Sequence, residues 1–139
     1  MNEQDFKDRT KQFGLHVIRL LDDLPSQRTT DVLARQLLRA ATSIGANYRA
    51  ACRGRSTADV IAKLDIVEEE TDEALYWLEV LVEAGLVAQS KAVGLIAEAD
   101  ELLSMTVASI KTLRSRAAER SSVMVLGQSK IQNPKSKMR

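Results

Sequence analysis

The chain is short of the residues from which most catalytic and metal sites are built. It carries one cysteine, Cys52, and one histidine, His16, in 139 residues. A lone cysteine permits no intrachain disulfide, and a lone histidine removes every site that needs two imidazoles or a Cys/His cluster. That usage fits a reduced, intracellular setting. Prolines number two and glycines six, and the aromatics are one tryptophan, two tyrosines and two phenylalanines. So few turn formers argue against many turns, and therefore against a multistranded β fold. Long hydrophobic runs are missing as well. Met1 is followed by Asn-Glu-Gln-Asp-Phe-Lys with no apolar core of a leader behind it, and no stretch approaches the roughly 20 apolar residues of a membrane span. The expectation is a soluble, cytoplasmic protein with no membrane partner. Nor is one sign of charge in excess, because 20 basic against 19 acidic residues leave a net +1. Net charge commits the chain to no polyanion.

What the chain has in quantity is apolar residues at helical spacing. They make up 45 % of the sequence, enough for one compact core at this length. Turn signals cut the chain at Pro25-Ser26, at Gly54-Arg55-Ser56 and at Gly85, which leaves four long segments. In the first, Phe6, Phe13, Val17, Leu20 and Leu24 recur by threes and fours and share one helical face. The second opens on Thr29, Thr30 and Asp31, all able to cap a helix, and carries Leu33, Leu37, Ala40, Ala41, Ile44, Tyr48 and Ala51 to about Arg53. Ser56 is placed to cap the third, with Asp59 in its first turn. The stripe of that segment is Val60, Leu64, Val67, Thr71, Ala74, Leu78 and Leu81, and Gly85 offers a left-handed C-cap. The fourth starts near Ser90 and continues through Leu95, Ala99, Leu102, Thr106, Ile110, Leu113 and Ala117.

Four amphipathic helices joined by short turns have one economical arrangement, an antiparallel up-down-up-down four-helix bundle in an all-α fold. Residues 1–120 are assigned to it. From Ser121 to Arg139 polar and basic residues take over around the apolar tetrad Val123-Met124-Val125-Leu126, and this segment is expected to be a mobile basic tail.

Charge is balanced overall but not along the chain. Residues 1–55 hold ten basic and six acidic residues, residues 56–105 two and twelve, and residues 106–139 eight and one. In an antiparallel hairpin turning near Gly54-Arg55, residues whose numbers add to about 110 lie side by side. Arg39 then falls beside Glu70, and Arg35 beside Asp72 and Glu73. One consequence is that the basic second helix neutralises the acidic third, through surface pairs worth about 0 to 1 kcal/mol each. The other is that arginines without partners, with Arg114, Arg116, Arg120 and the tail residues Lys130, Lys135, Lys137 and Arg139, form a basic surface for the phosphates of RNA or DNA. Asn47 lies close to the apolar stripe of the second helix, so its amide requires a partner, a backbone group or a neighbouring carboxylate. Tyr76 and Trp77 in the third helix read as packing or interface anchors.

Sites of chemistry are hard to assemble from these residues. A di-metal centre in a bundle uses Glu-x-x-His pairs from two helices, whereas the residue three before His16 is Phe13. The sequence contains no Gly-rich phosphate loop and no Gly-x-Ser-x-Gly elbow. Cys52 stands beside Arg53 and Arg55, a setting that would lower a thiol pKa, yet an inert thiol at a helix end is the simpler reading. A non-enzyme without cofactor or metal is expected.

The second and third segments also carry longer words. The run Arg39-Ala40-Ala41-Thr42-Ser43-Ile44-Gly45-Ala46-Asn47-Tyr48-Arg49, followed by Ser56 and then Glu68-Glu69-Glu70-Thr71-Asp72-Glu73-Ala74-Leu75-Tyr76-Trp77-Leu78-Glu79, resembles the four-helix-bundle family first noticed as reading frames in intervening sequences of large-subunit ribosomal RNA genes. The resemblance spans about residues 6–115. It implies a bacterial, cytoplasmic bundle that assembles as a homopentameric ring. A related group, the accessory variability proteins of diversity-generating retroelements, implies binding to a reverse transcriptase and to nucleic acid. Ala50 stands where the family usually has a glutamate, and the chain is near neutral where the accessory proteins are basic. Two functions remain open on sequence grounds: an oligomeric structural or adaptor ring that binds proteins, and a nucleic-acid-binding accessory protein.

Overall fold

A computed structural model describes residues 2–132, with side chains as far as Met124. It consists of α1 (Glu3–Asp22), α2 (Arg28–Cys52), α3 (Thr57–Glu83) and α4 (Gln89–Gln132). Each helix begins and ends for an identifiable reason. The Asn2 side chain accepts the Asp5 amide at 2.8 Å while the Asp5 carboxylate reaches back to the Asn2 amide, closing a reciprocal cap that satisfies two orphan donors of α1. Ser56 caps α3 as its position suggests, with Oγ accepting the Asp59 amide at 3.1 Å. After α3, Gly85 sits at φ +74°. Its amide donates to the Val82 carbonyl and that of Leu86 to the Leu81 carbonyl, the paired bonds of a Schellman stop that leave only glycine unstrained at this position.

The N-terminus of α2 departs from expectation. Gln27 occupies the cap without a side-chain bond, and Thr30 is buried inside the helix. Ser26 and Asp31 bond to each other instead, Oγ to Oδ2 at 2.9 Å. The expected caps are displaced because Thr30 lies on the buried side of the first turn, where packing outweighs an exposed cap.

The helices run alternately up and down, which their partners across each seam show directly. Gly14 backs onto Ala41 and Thr42, whereas Gly45 backs onto Thr10 and Lys11, so α2 descends as α1 rises. Asp65 faces Arg114 and Thr57 faces Arg120, which sets α3 against α4 in the same sense. Each helix packs on its neighbours in sequence, and α4 closes the ring of four against α1. The core is built from the stripes read in the sequence. Phe13, Val17, Leu37, Ile44, Val67, Leu78, Leu81 and Leu102 are almost wholly withdrawn from water. Three buried threonines, Thr10, Thr71 and Thr106, each donate to the carbonyl four residues back. Every one of these hydroxyls is satisfied inside its own helix, so they hold no polar network in the centre.

α4 also differs from expectation at its far end. It does not give way at Ser121 but continues through Gln132. Up to that point the segment has a single glycine and no proline, the first proline being Pro134; a shift toward polar residues does not by itself stop a helix. Because Arg120 lies against Thr57, the first residue of α3, the twelve residues beyond it project past the bundle by about 18 Å at 1.5 Å per residue. Val123 and Met124 on this projection are exposed. Lys135, Lys137 and Arg139, together with the side chain of Lys130, lie outside the described residues.

Candidate functional site

The seam between α2 and α3 is where the sequence placed its charge pairing, and Arg39 behaves as the antiparallel register requires. Its guanidinium donates to Glu73 Oε2 at 2.7 Å and lies 3.9 Å from Glu70 Oε2. Glu73 is held from its own helix as well, since Trp77 Nε1 donates to the same oxygen at 3.1 Å. Trp77 is half-buried and packs against the core, and Tyr76 stands edge-on to it at a ring separation of 5.0 Å. Tyr76 itself is 55 % exposed, which makes it a surface aromatic and not a core anchor. Arg35, expected beside Asp72 and Glu73, is exposed and forms no ion pair among the described residues. Glu73 is already engaged by Arg39, and Asp72 falls on the flank of α3 that turns toward α4. Asn47 donates to the Ser43 carbonyl at 2.9 Å, so the amide is satisfied by its own helix.

Glu70 is the strained member of the group. Its Oε1 is buried with no hydrogen-bond partner. Burial pushes the carboxyl above its ordinary value, the neighbouring Glu73 adds to the rise, and Arg39 opposes it. A carboxyl whose folded pKa is raised favours the fold while protonated and loses that contribution as pH rises through the folded pKa. We therefore expect Glu70→Gln to raise stability at neutral pH and the gain to vanish when unfolding is measured below about pH 4, where the unfolded glutamate is itself protonated. A destabilised Gln variant at pH 7 would show instead that the attraction to Arg39 outweighs burial.

At the end of the bundle where α2 turns into α3, α1 stops short and leaves a groove of about 490 Å³ floored by Tyr48, Ala51, Cys52 and Leu64 and edged by Leu113 and Arg116. Burial raises the Cys52 thiol above its usual pKa, with Tyr48 opposing, so the adjacent arginines do not activate it and the inert reading holds. Tyr48 is likewise pushed up, by burial first and by Cys52 second. Of the arginines placed in a basic surface, Arg114 pairs with Asp65 at 3.2 Å and Arg120 donates to Thr57 at 3.1 Å, which ties α4 to α3. Arg116 is exposed and makes no ion pair among the described residues. Arg53 and Arg55 stand exposed at the same end. No group of three or more His, Cys, Asp or Glu among the described residues could hold a metal ion, and no described helix is long and apolar enough to cross a membrane.

A second polar tie escaped the sequence reading altogether. Arg9 of α1 forks onto Glu98 of α4, Nε to Oε2 at 3.0 Å and Nη2 to Oε1 at 2.7 Å, and also pairs with Glu101. The charges were visible, but 89 residues separate the partners in sequence.

The profile of the family described as 23S rRNA-intervening sequence protein matches residues 2–108, most of the chain. The chain belongs to that family. A crystal structure of a protein of unknown function from the S23 ribosomal protein family of Bacteroides thetaiotaomicron is 32 % identical, with a TM-score of 0.74 over 80 % of this chain and 99 % of that one. No curated protein matches the chain. The family match therefore takes in the α2–α3 seam, the Arg9 fork and the first half of α4. Arg114, Arg116, Arg120 and the projecting end of α4 lie beyond it.

Proposed function

We propose that this family member works without chemistry of its own, as a self-associating bundle that forms a structural or adaptor ring and binds other proteins. The observation that carries this reading is an apolar surface wider than one core needs. Val32, Ile66, Tyr76 and Val93 are exposed, and Leu75, Ile96, Leu103 and Val107 are only half-buried. A monomer would leave this surface in water, which soluble monomers rarely do over a contiguous area. Sedimentation equilibrium at micromolar concentration should return a whole multiple of 15.4 kDa, five-fold if the ring is the pentamer that the family resemblance implies. A mass near 15.4 kDa would overturn the reading.

A second reading is favoured by the exposed arginines Arg53, Arg55 and Arg116 at one end of the bundle: that end binds RNA or DNA through phosphates. In a ring, cyclic symmetry multiplies such a patch although net charge stays near zero. Binding would be sequence-tolerant, with a log-log salt slope of about −0.9 per neutralised phosphate on duplex DNA. Fluorescence anisotropy with single-stranded and duplex probes at about 50 mM salt, a condition that exaggerates surface electrostatics, tests it. Truncation after Ser121 should flatten the slope while leaving the bundle folded. No binding by the full chain leaves the protein-binding ring alone.

A further inference from the structure

Two faces on opposite sides of the bundle differ in a complementary way. The α1–α2 seam is concave because glycines meet there. Gly14 lies against the α2 backbone and Gly45 against that of α1, so no side chain fills the line between the helices. The result is a groove of about 580 Å³ with Leu15, Ile18 and Ala46 along it and Lys7, Lys11 and Arg49 at one end. Asp8 is the acidic residue of that lining.

The α3–α4 seam lies across the bundle, since α1 packs on α2 and α4 but not on α3. Asp65 and Arg114 face each other there and fix which flank of each helix borders the seam. Counting from them at 3.6 residues per turn places Glu68, Asp72, Leu75 and Glu79 of α3 on that flank. On α4 the same count places Val107, Leu103, Asp100 and Ile96. The apolar members are half-buried, and Asp72, Glu79 and Asp100 are exposed. This face is therefore an apolar ridge flanked by carboxylates, opposite a cationic groove of similar apolar character.

We infer that a second copy of this chain docks its α3–α4 ridge into the α1–α2 groove of its neighbour. The inference rests on the self-association reading above and adds the surfaces and the symmetry. Like faces repel: two α3–α4 ridges would set carboxylate against carboxylate, and two α1–α2 grooves would set Lys11 and Arg49 against their own copies. The contact is consequently head-to-tail between different patches. Such a contact closes into a ring if the rotation between subunits permits and otherwise propagates as a filament. Lys11, Arg49, Asp72 and Asp100 supply the steering charges, and Leu15, Ile18, Leu75, Ile96, Leu103 and Val107 supply the apolar burial.

Charge exchange tests this on the full chain. All four charged positions are exposed, so substitution there should leave the helical circular dichroism intact. Lys11→Glu with Arg49→Glu should weaken assembly at least ten-fold in sedimentation velocity, and Asp72→Lys with Asp100→Lys should do the same. All four substitutions in one chain set opposite charges across the contact again and should restore assembly. An oligomeric wild type with either double variant still fully assembled, or a folded four-fold variant that stays dissociated, overturns the head-to-tail interface and leaves self-association standing. A monomeric wild type overturns both.

Discussion

Phe13→Ala should cost the bundle about 3 to 5 kcal/mol, the loss typical of deleting a fully buried phenylalanine ring. Phe13 is 1 % exposed and, with Phe6, Val17 and Leu20, forms the apolar face by which α1 joins the core. Surrounding helices relax only partly around such a deletion, so a cavity term adds to the lost transfer free energy. With a urea slope of about 2 kcal/mol per molar, the unfolding midpoint should fall by roughly 2 M. Because association would itself stabilise the fold, wild type and variant must be compared at one protein concentration. A midpoint shift under about 0.5 M would mean that α1 contributes far less to the core than its burial implies.

Arg9→Ala should produce the next largest loss, about 1.5 to 3 kcal/mol, the range for hydrogen bonds to charged groups. The Arg9 fork is two parallel bonds to Glu98 plus a pairing to Glu101, and Arg9 and Glu98 are both more than half withdrawn from solvent. Removing the guanidinium leaves Glu98 and Glu101 one turn apart on α4 without their cation. Arg9→Lys should recover only part of the loss, because an ammonium is a point charge and cannot make the parallel pair. Hydrogen exchange gives the more specific readout. Amides of α1 should open faster in Arg9→Ala while those of α3 keep their protection at matched global stability. Uniform acceleration across all four helices would show that the fork stabilises the whole bundle and does not act as a local clasp on α1.

Both predictions bear on the proposed assembly, since α1 forms one wall of the cationic groove. A variant in which α1 detaches should lose self-association before it loses helix content, and gel filtration beside circular dichroism would separate the two.

The helices themselves were legible in the amino-acid sequence because the signal is local. An apolar residue every third or fourth position specifies a helical face within a few turns, whatever the rest of the chain does. Phe13, Val17, Leu37, Ile44, Leu78 and Leu102 are therefore buried where the stripes put them. Ser56 and Gly85 end their segments by short-range hydrogen bonds that also need no distant partner. The Arg39–Glu70/Glu73 pairing was accessible for a related reason: a short turn leaves a hairpin of two helices little freedom of register. Other features depend on contacts between residues far apart in the chain. That Arg9 meets Glu98, that Arg114 and Arg120 fasten α4 to α3, and that Arg35 is left unpaired follow from how four helices rotate about their axes once packed. Helical periodicity states which residues share a face; only the packed bundle decides which neighbour that face meets, and so where its charges cancel and where they stay open to a partner.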